Sequence, residues 1–144
     1  MWSEGGDRVV LIEGLKLPLP PSLNHAYVNT ACGRMKSDKA RKYDTAVRVL
    51  LGDKLALKPL PALLNVPLHL KIEVELAQLE NKGWSCGTAK SRYKKLDVSN
   101  RIKLLEDVLC KMLYIDDSQF LSVTAVKRQG VEDCCLVTIS KEGT

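Results

Sequence analysis

Asp97, Asp107, Asp116 and Asp117 fall in one stretch of the chain, Asp97 to Gln119, reading DVSNRIKLLEDVLCKMLYIDDSQ, with Lys103 among them. Carboxylates brought side by side repel by roughly a few kcal/mol unless water or a cation screens them. A chain that gathers these four acids is therefore expected to hold a metal ion, and oxygen-only ligands suit Mg²⁺ or Mn²⁺ rather than zinc. Taken singly, each residue has a plainer reading. An acid ahead of a helix is usually a cap, a helix lysine is usually solvated, and Asp-Asp in a turn usually makes the turn. Only their grouping points to chemistry.

The element that must position them is a helix. Ile102, Leu105, Leu109 and Met112 recur at helical spacing, with Val108 and Leu113 widening the stripe, so the pattern predicts about four turns beginning near Val98 and running to Tyr114. Asp97 or Ser99 can cap its first turn. At the same period Asn100, Lys103 and Asp107 share one flank, with Asp97 just before the helix on that side and the Asp116–Asp117 pair just after it. Asn100 can either orient a carboxylate or close the capping turn.

Around this helix the chain reads as one domain over residues 1–144. A first strand at residues 9–17, interrupted by a bulge or turn near Glu13–Gly14, runs into Pro18, Pro20 and Pro21. Residues 20–37 read as a structured loop. Ser37 caps a second helix, in which Ala40, Tyr43, Val47, Leu50, Leu51 and Leu55 form the apolar stripe; its cations Lys39, Arg41, Lys42 and Arg48 read best as a solvated face. Leu68 to Leu76 alternates cleanly as a strand, in an antiparallel or edge position. Residues 78–96 look like a mobile excursion in which Trp84 and Tyr93 either stack on unpaired bases or anchor the loop. Two β-rich runs, 120–127 and 134–140, suggest a terminal hairpin. The result is an α+β domain, a mixed or antiparallel sheet with two helices packed on it.

Composition narrows the class of partner. The net charge of +5 tilts toward a polyanion, and between Lys82 and Lys103 seven cations (Lys82, Lys90, Arg92, Lys94, Lys95, Arg101, Lys103) face the single acid Asp97. No apolar run approaches the ~20 residues of a membrane span and the N-terminus lacks a signal pattern, so a cytoplasmic protein with no membrane partner is expected. Five cysteines, Cys32, Cys86, Cys110, Cys134 and Cys135, cannot all pair internally and none stands in C-x-x-C spacing, which favours reduced thiols without zinc. His25 has no evident acid partner and reads as a structural or DNA-contact residue.

Two blocks of this sequence resemble the RusA-type Holliday-junction resolvases, crossover-junction endodeoxyribonucleases of bacteria and their prophages. One is PLPPSLNHAYVN…GRMKSDKARKY; the other is DVSNRIKLLEDVLCKMLYIDDSQF. The resemblance implies that Asp97, Asp116 and Asp117 bind Mg²⁺, with Mn²⁺ as a substitute, and that Lys103 supports catalysis. Ser99, Asn100 and Asp107 are implied as supporting groups. DNA contact is expected from Asn24, Tyr27, Arg34, Lys36, Lys90, Arg92, Lys94, Lys95 and Arg101. It further implies a homodimer, phage or prophage encoded, that resolves four-way junctions by paired nicks. Where the family pattern has Asp-x-Asp-Asn, this chain has Ser99 in place of the second acid. That loss of one charge opens an alternative, a branched-DNA-binding protein with weak or no catalysis.

Overall fold

In the computed structural model, which describes residues 9–21, 27–31, 33–94 and 98–142, the longest apolar alternation becomes the middle of the fold. β1 (Val10–Leu17) is followed by the short strands β2 (Tyr27–Thr30) and β3 (Gly33–Lys36), helix α1 (Asp38–Leu57) and β4 (Leu68–Leu76). Helix α2 (Val98–Leu113), a 3₁₀ turn (Asp117–Gln119), β5 (Phe120–Gln129) and β6 (Cys134–Lys141) complete the chain. The main sheet runs β1-β6-β4-β5. β4 is antiparallel to β6 and parallel to β5, so it is an interior strand of a mixed sheet and not an edge strand. Its parallel partner is reached through α2, the long crossover that parallel neighbours require.

Every second residue of β4, Leu68, Leu70, Ile72, Val74 and Leu76, is buried. These side chains form one core with Ala40, Tyr43, Val47 and Leu51 of α1 and Leu104, Leu105, Val108 and Leu109 of α2. The opposite face of β4 carries His69, Lys71, Glu73 and Glu75. There Arg128 of β5 binds Glu73 at 2.8 Å and Glu75 at 3.0 Å, and Lys71 binds Glu73 at 2.8 Å.

The α+β architecture, both long helices and the Ser37 cap follow the sequence pattern; Ser37 Oγ accepts from the Ala40 N–H at 3.2 Å. The interruption of β1 is also as expected. Its pairing with β6 shifts register on either side of Ile12, and Gly14, at φ +58°, turns its N–H to Thr138 Oγ1. Four further readings are corrected. The segment expected to be loop contains the β2–β3 hairpin, with Tyr27 opposite Lys36 and Thr30 opposite Gly33, because four-residue strands are too short to show a period. The expected hairpin of the last two strands does not form, since β4 lies between β5 and β6. Leu50 stands 38% exposed, off the buried stripe of α1.

The fourth correction concerns the mobile excursion expected over residues 78–96, of which residues 79–94 close on themselves. Asn81 N–H donates to the Arg92 carbonyl at 2.8 Å and Lys94 N–H to that of Leu79 at 2.7 Å, while the Asn81 amide reaches the carbonyls of Ser91 and Tyr93. Lys127 of β5 ties the base of this loop to the sheet through the Lys94 carbonyl. Cys86, Cys110, Cys134 and Cys135 are free thiols. No helix among the described residues is long and apolar enough to cross a membrane.

Candidate active site

Burial of Leu104, Leu105, Val108 and Leu109 fixes the rotation of α2 and leaves Lys103, Glu106 and Asp107 along its uncovered flank. The end of the helix then decides what meets that flank. Tyr114 adopts the left-handed conformation, φ 56°, and the Ile115 N–H bonds back to the Cys110 carbonyl at 3.0 Å. This is the Schellman closure that glycine usually makes. In a tyrosine it costs on the order of 1 kcal/mol, and it reverses the chain so that Asp116 and Asp117 return along the helix.

A second device holds the returned segment. Asp116 caps the 3₁₀ turn: its Oδ1 accepts the Ser118 N–H at 2.9 Å, while the Asp116 N–H donates to Gln119 Oε1 at 2.9 Å. The buried Gln119 amide then donates to the carbonyls of Leu63 at 2.7 Å and Val66 at 3.1 Å. A single side chain thus pins the acidic turn to the loop before β4. Gln119 was missed as a positioning residue by sequence reasoning. Its signal was present, because an acid followed three residues later by glutamine is a capping box.

Lys103 Nζ stands 3.5 Å from Asp117 Oδ2 and 4.0 Å from Asp107 Oδ1, with all three side chains partly exposed. The carboxylates of Asp107 and then Asp117 push the Lys103 pKa up, keeping it cationic. Burial raises the Glu106 carboxyl, a rise that Lys103 opposes. Cys110, one turn further along, is raised to about 11, first by burial and then by Glu106, Asp117, Asp107 and Asp116. Asp116 is held below the usual range, chiefly by the Ser118 N–H.

The structure therefore brings Lys103, Asp107, Asp116 and Asp117 to one flank of α2. Asp97, Asn24 and Lys95 lie outside the described residues. Ser99 and Asn100 are in the first turn of α2, and Tyr27, Arg34 and Lys36 on the β2–β3 hairpin. Arg101 donates to the Pro20 carbonyl at 2.8 Å, joining α2 to the segment after β1. Lys90, Arg92 and Lys94 are exposed on the closed loop ahead of α2.

Among the described residues no three His, Cys, Asp or Glu side chains form a metal-holding group. The chemistry of the donors nonetheless fits a hard divalent cation. They are all oxygens, and Lys103 stands between two of the carboxylates, at 3.5 Å from Asp117 and 4.0 Å from Asp107.

A small α+β domain that sets acids and a lysine on one helix flank, with a basic loop preceding that helix in the chain, has the parts needed to hydrolyse phosphodiesters in a nucleic acid. Residues 18–140 match the family model for endodeoxyribonuclease RusA, and the chain belongs to that family. Compared with curated proteins one at a time, it gives no match. Family membership makes the chain a DNA endonuclease by class.

Proposed function

We propose that this chain is a divalent-metal-dependent endodeoxyribonuclease that resolves four-way DNA junctions as a homodimer, each subunit making one of two paired nicks. The observation that carries the reading is the Lys103–Asp107–Asp117 grouping, 3.5–4.0 Å between charged atoms, within the stretch that matches the family model. Asp97, Asp116 and Asp117 would hold Mg²⁺, for which Mn²⁺ can substitute. When bound, such an ion supplies Lewis acidity and a lowered water pKa.

The side chains supply the rest. Lys103, kept cationic by its two carboxylates, offsets charge that accumulates on the phosphate as the P–O bond breaks. Gln119 holds Asp116 and Asp117 at fixed positions, so no reorganisation is needed during the reaction. Asp107 keeps the Lys103 ammonium on the acidic flank. Ser99 and Asn100 begin the same helix, and Val98 is five residues before Lys103, about 7.5 Å along the axis. Asn24, Tyr27, Arg34, Lys36, Lys90, Arg92, Lys94, Lys95 and Arg101 are assigned to the DNA.

The test is incubation of the protein with a labelled mobile four-way junction and Mg²⁺ or Mn²⁺, with a linear duplex of equal length as control. Metal-dependent paired nicks confined to the junction are expected. Ser99, standing where the family pattern has an acid, favours a second reading in which the protein binds branched DNA without cutting it. Tight junction binding with no cleavage at high protein concentration would establish that reading and remove the first.

A further inference from the structure

We propose that the closed loop of residues 79–94 is a stacking prong that engages unpaired bases at the branch point, with Trp84 as its stacking face. The inference deepens the junction reading above and rests on it. The loop carries its shape in its sequence. A Cβ on Gly83 would lie 2.2 Å from Thr88 Oγ1 and 2.9 Å from the Ala89 backbone nitrogen, and Gly87 sits at φ +80°. The Gly83 carbonyl accepts the N–H groups of both Thr88 and Ala89. Two glycines thus permit a turn that other residues would break. The Glu80–Tyr93 bridge closes its base.

This defined turn presents large aromatic surface to solvent. Trp84 is 42% and Tyr93 51% exposed, so neither is the buried anchor that would explain an aromatic here by packing alone. The Arg92 guanidinium lies 5.3 Å from the Tyr93 ring centroid and is fixed by Glu80 at 2.9 Å. Lys82, Lys90 and Lys94 stand exposed on the same loop. Aromatic faces interleaved with cations are what an unpaired strand selects, since every base has a π-face and every phosphate a charge.

Position relative to the acids fits the same partner. Four residues separate Lys94 from Val98 and five separate Val98 from Lys103. The backbone path from the base of the loop at Lys94 to Lys103 is then at most about 14 Å extended plus about 7.5 Å of helix, about six base steps of duplex, and Trp84 extends the reach further along the loop. A base held on the prong and a phosphate at Lys103 can therefore belong to one junction. Stacking of this kind separates branched from fully paired DNA, because only the former offers an unstacked base.

The chain has two tryptophans, Trp2 and Trp84, so a Trp2→Phe protein reports on Trp84 alone. Titrated with an end-labelled four-way junction in EDTA, with binding followed by anisotropy of the label, its emission should be quenched by the junction and by gapped DNA but little by blunt duplex. Trp84→Ala should weaken junction binding by about 5-fold or more while leaving duplex binding unchanged, and Trp84→Phe should retain most of the affinity. Junction binding with unaltered Trp84 emission, or equal quenching by blunt duplex, would overturn the prong assignment and leave the nuclease reading standing. Failure of the parent protein to bind any branched DNA would overturn the junction reading and the prong with it.

Discussion

Replacing Asp117 with asparagine separates catalysis from folding more cleanly than any other change in the chain. The only ion pair Asp117 makes among the described residues is with Lys103, at 3.5 Å, where the two side chains are 54% and 50% exposed. At that separation in a water-like dielectric the attraction is about 1 kcal/mol before entropy and salt are subtracted. Losing it should lower Tm by no more than about 4 °C. The chemical consequence is far larger. A charge aimed at the reacting phosphate or its cation is worth about 2.7–4 kcal/mol in the transition state, or 10²–10³ in rate. Asp117→Asn should therefore lose at least about 100-fold in junction cleavage with its fold intact, and its junction binding should hold or tighten because one repulsive charge has gone. Single-turnover cleavage, anisotropy of a labelled junction and a thermal melt on one preparation decide the matter. Wild-type cleavage would remove Asp117 from the chemistry, and a Tm loss above about 10 °C would show the residue to be structural instead.

Gln119→Leu should cost about 1–3 kcal/mol for each buried group it leaves unpaired and lower cleavage by loosening the acidic turn. Gln119→Glu, which keeps an acceptor for the Asp116 N–H but turns an oxygen toward the Leu63 and Val66 carbonyls, should recover neither the melting temperature nor the activity; equal activity in both variants and wild type would end the positioning role. Ser99→Asp should leave metal-dependent cleavage equal or raise it, and a large fall would mean that the chain uses its serine differently. Glu73 is depressed below its ordinary 4.5, first by the Lys71 hydrogen bond and also by Arg128. Its stabilisation is therefore full above that value and is lost as pH falls through the lower folded one, so Glu73→Gln should flatten the acid limb of a Tm–pH curve, and an unchanged limb would refute it. Cys86, lowered by its contact with the Thr88 hydroxyl at 3.3 Å, should alkylate before Cys110, raised to about 11, and Cys135, raised to about 12. Peptide mapping after brief iodoacetamide treatment checks the order, and Cys110 modified as fast as Cys86 would count against it.

What the sequence shows and what it hides divide along physical lines. A twenty-residue helix capped by Ser37 and a nine-residue alternation in β4 are long enough for one period to dominate, and both were legible. The β2–β3 hairpin was not, because four residues complete only two alternations. Partner choice in the sheet was hidden for a different reason. Runs 120–129 and 134–141 are close in sequence, which favours a hairpin, but the core decides otherwise: β4, apolar on one whole face, is worth more at the centre between β6 and β5 than at an edge. Nothing local to β5 or β6 encodes that competition.

The acidic site shows the same division on a smaller scale. Helical spacing was enough to place Lys103 and Asp107 on one flank, since four residues make about one turn. Bringing Asp117 to 3.5 Å from Lys103 required the chain to reverse, and the residue that reverses it is Tyr114, a side chain that gives no turn signal and bears the strain of the left-handed conformation. Glycine there would make the same turn without strain. The tyrosine keeps it because Leu113 and Ile115 are buried on either side and Gln119 ties down the segment beyond, so the turn is held from both ends by packing that no local pattern announces. Strain that neighbouring structure over-determines is how a fold fixes the spacing of charges that repel one another, and in this chain it lies three residues from the acid on which the proposed chemistry depends.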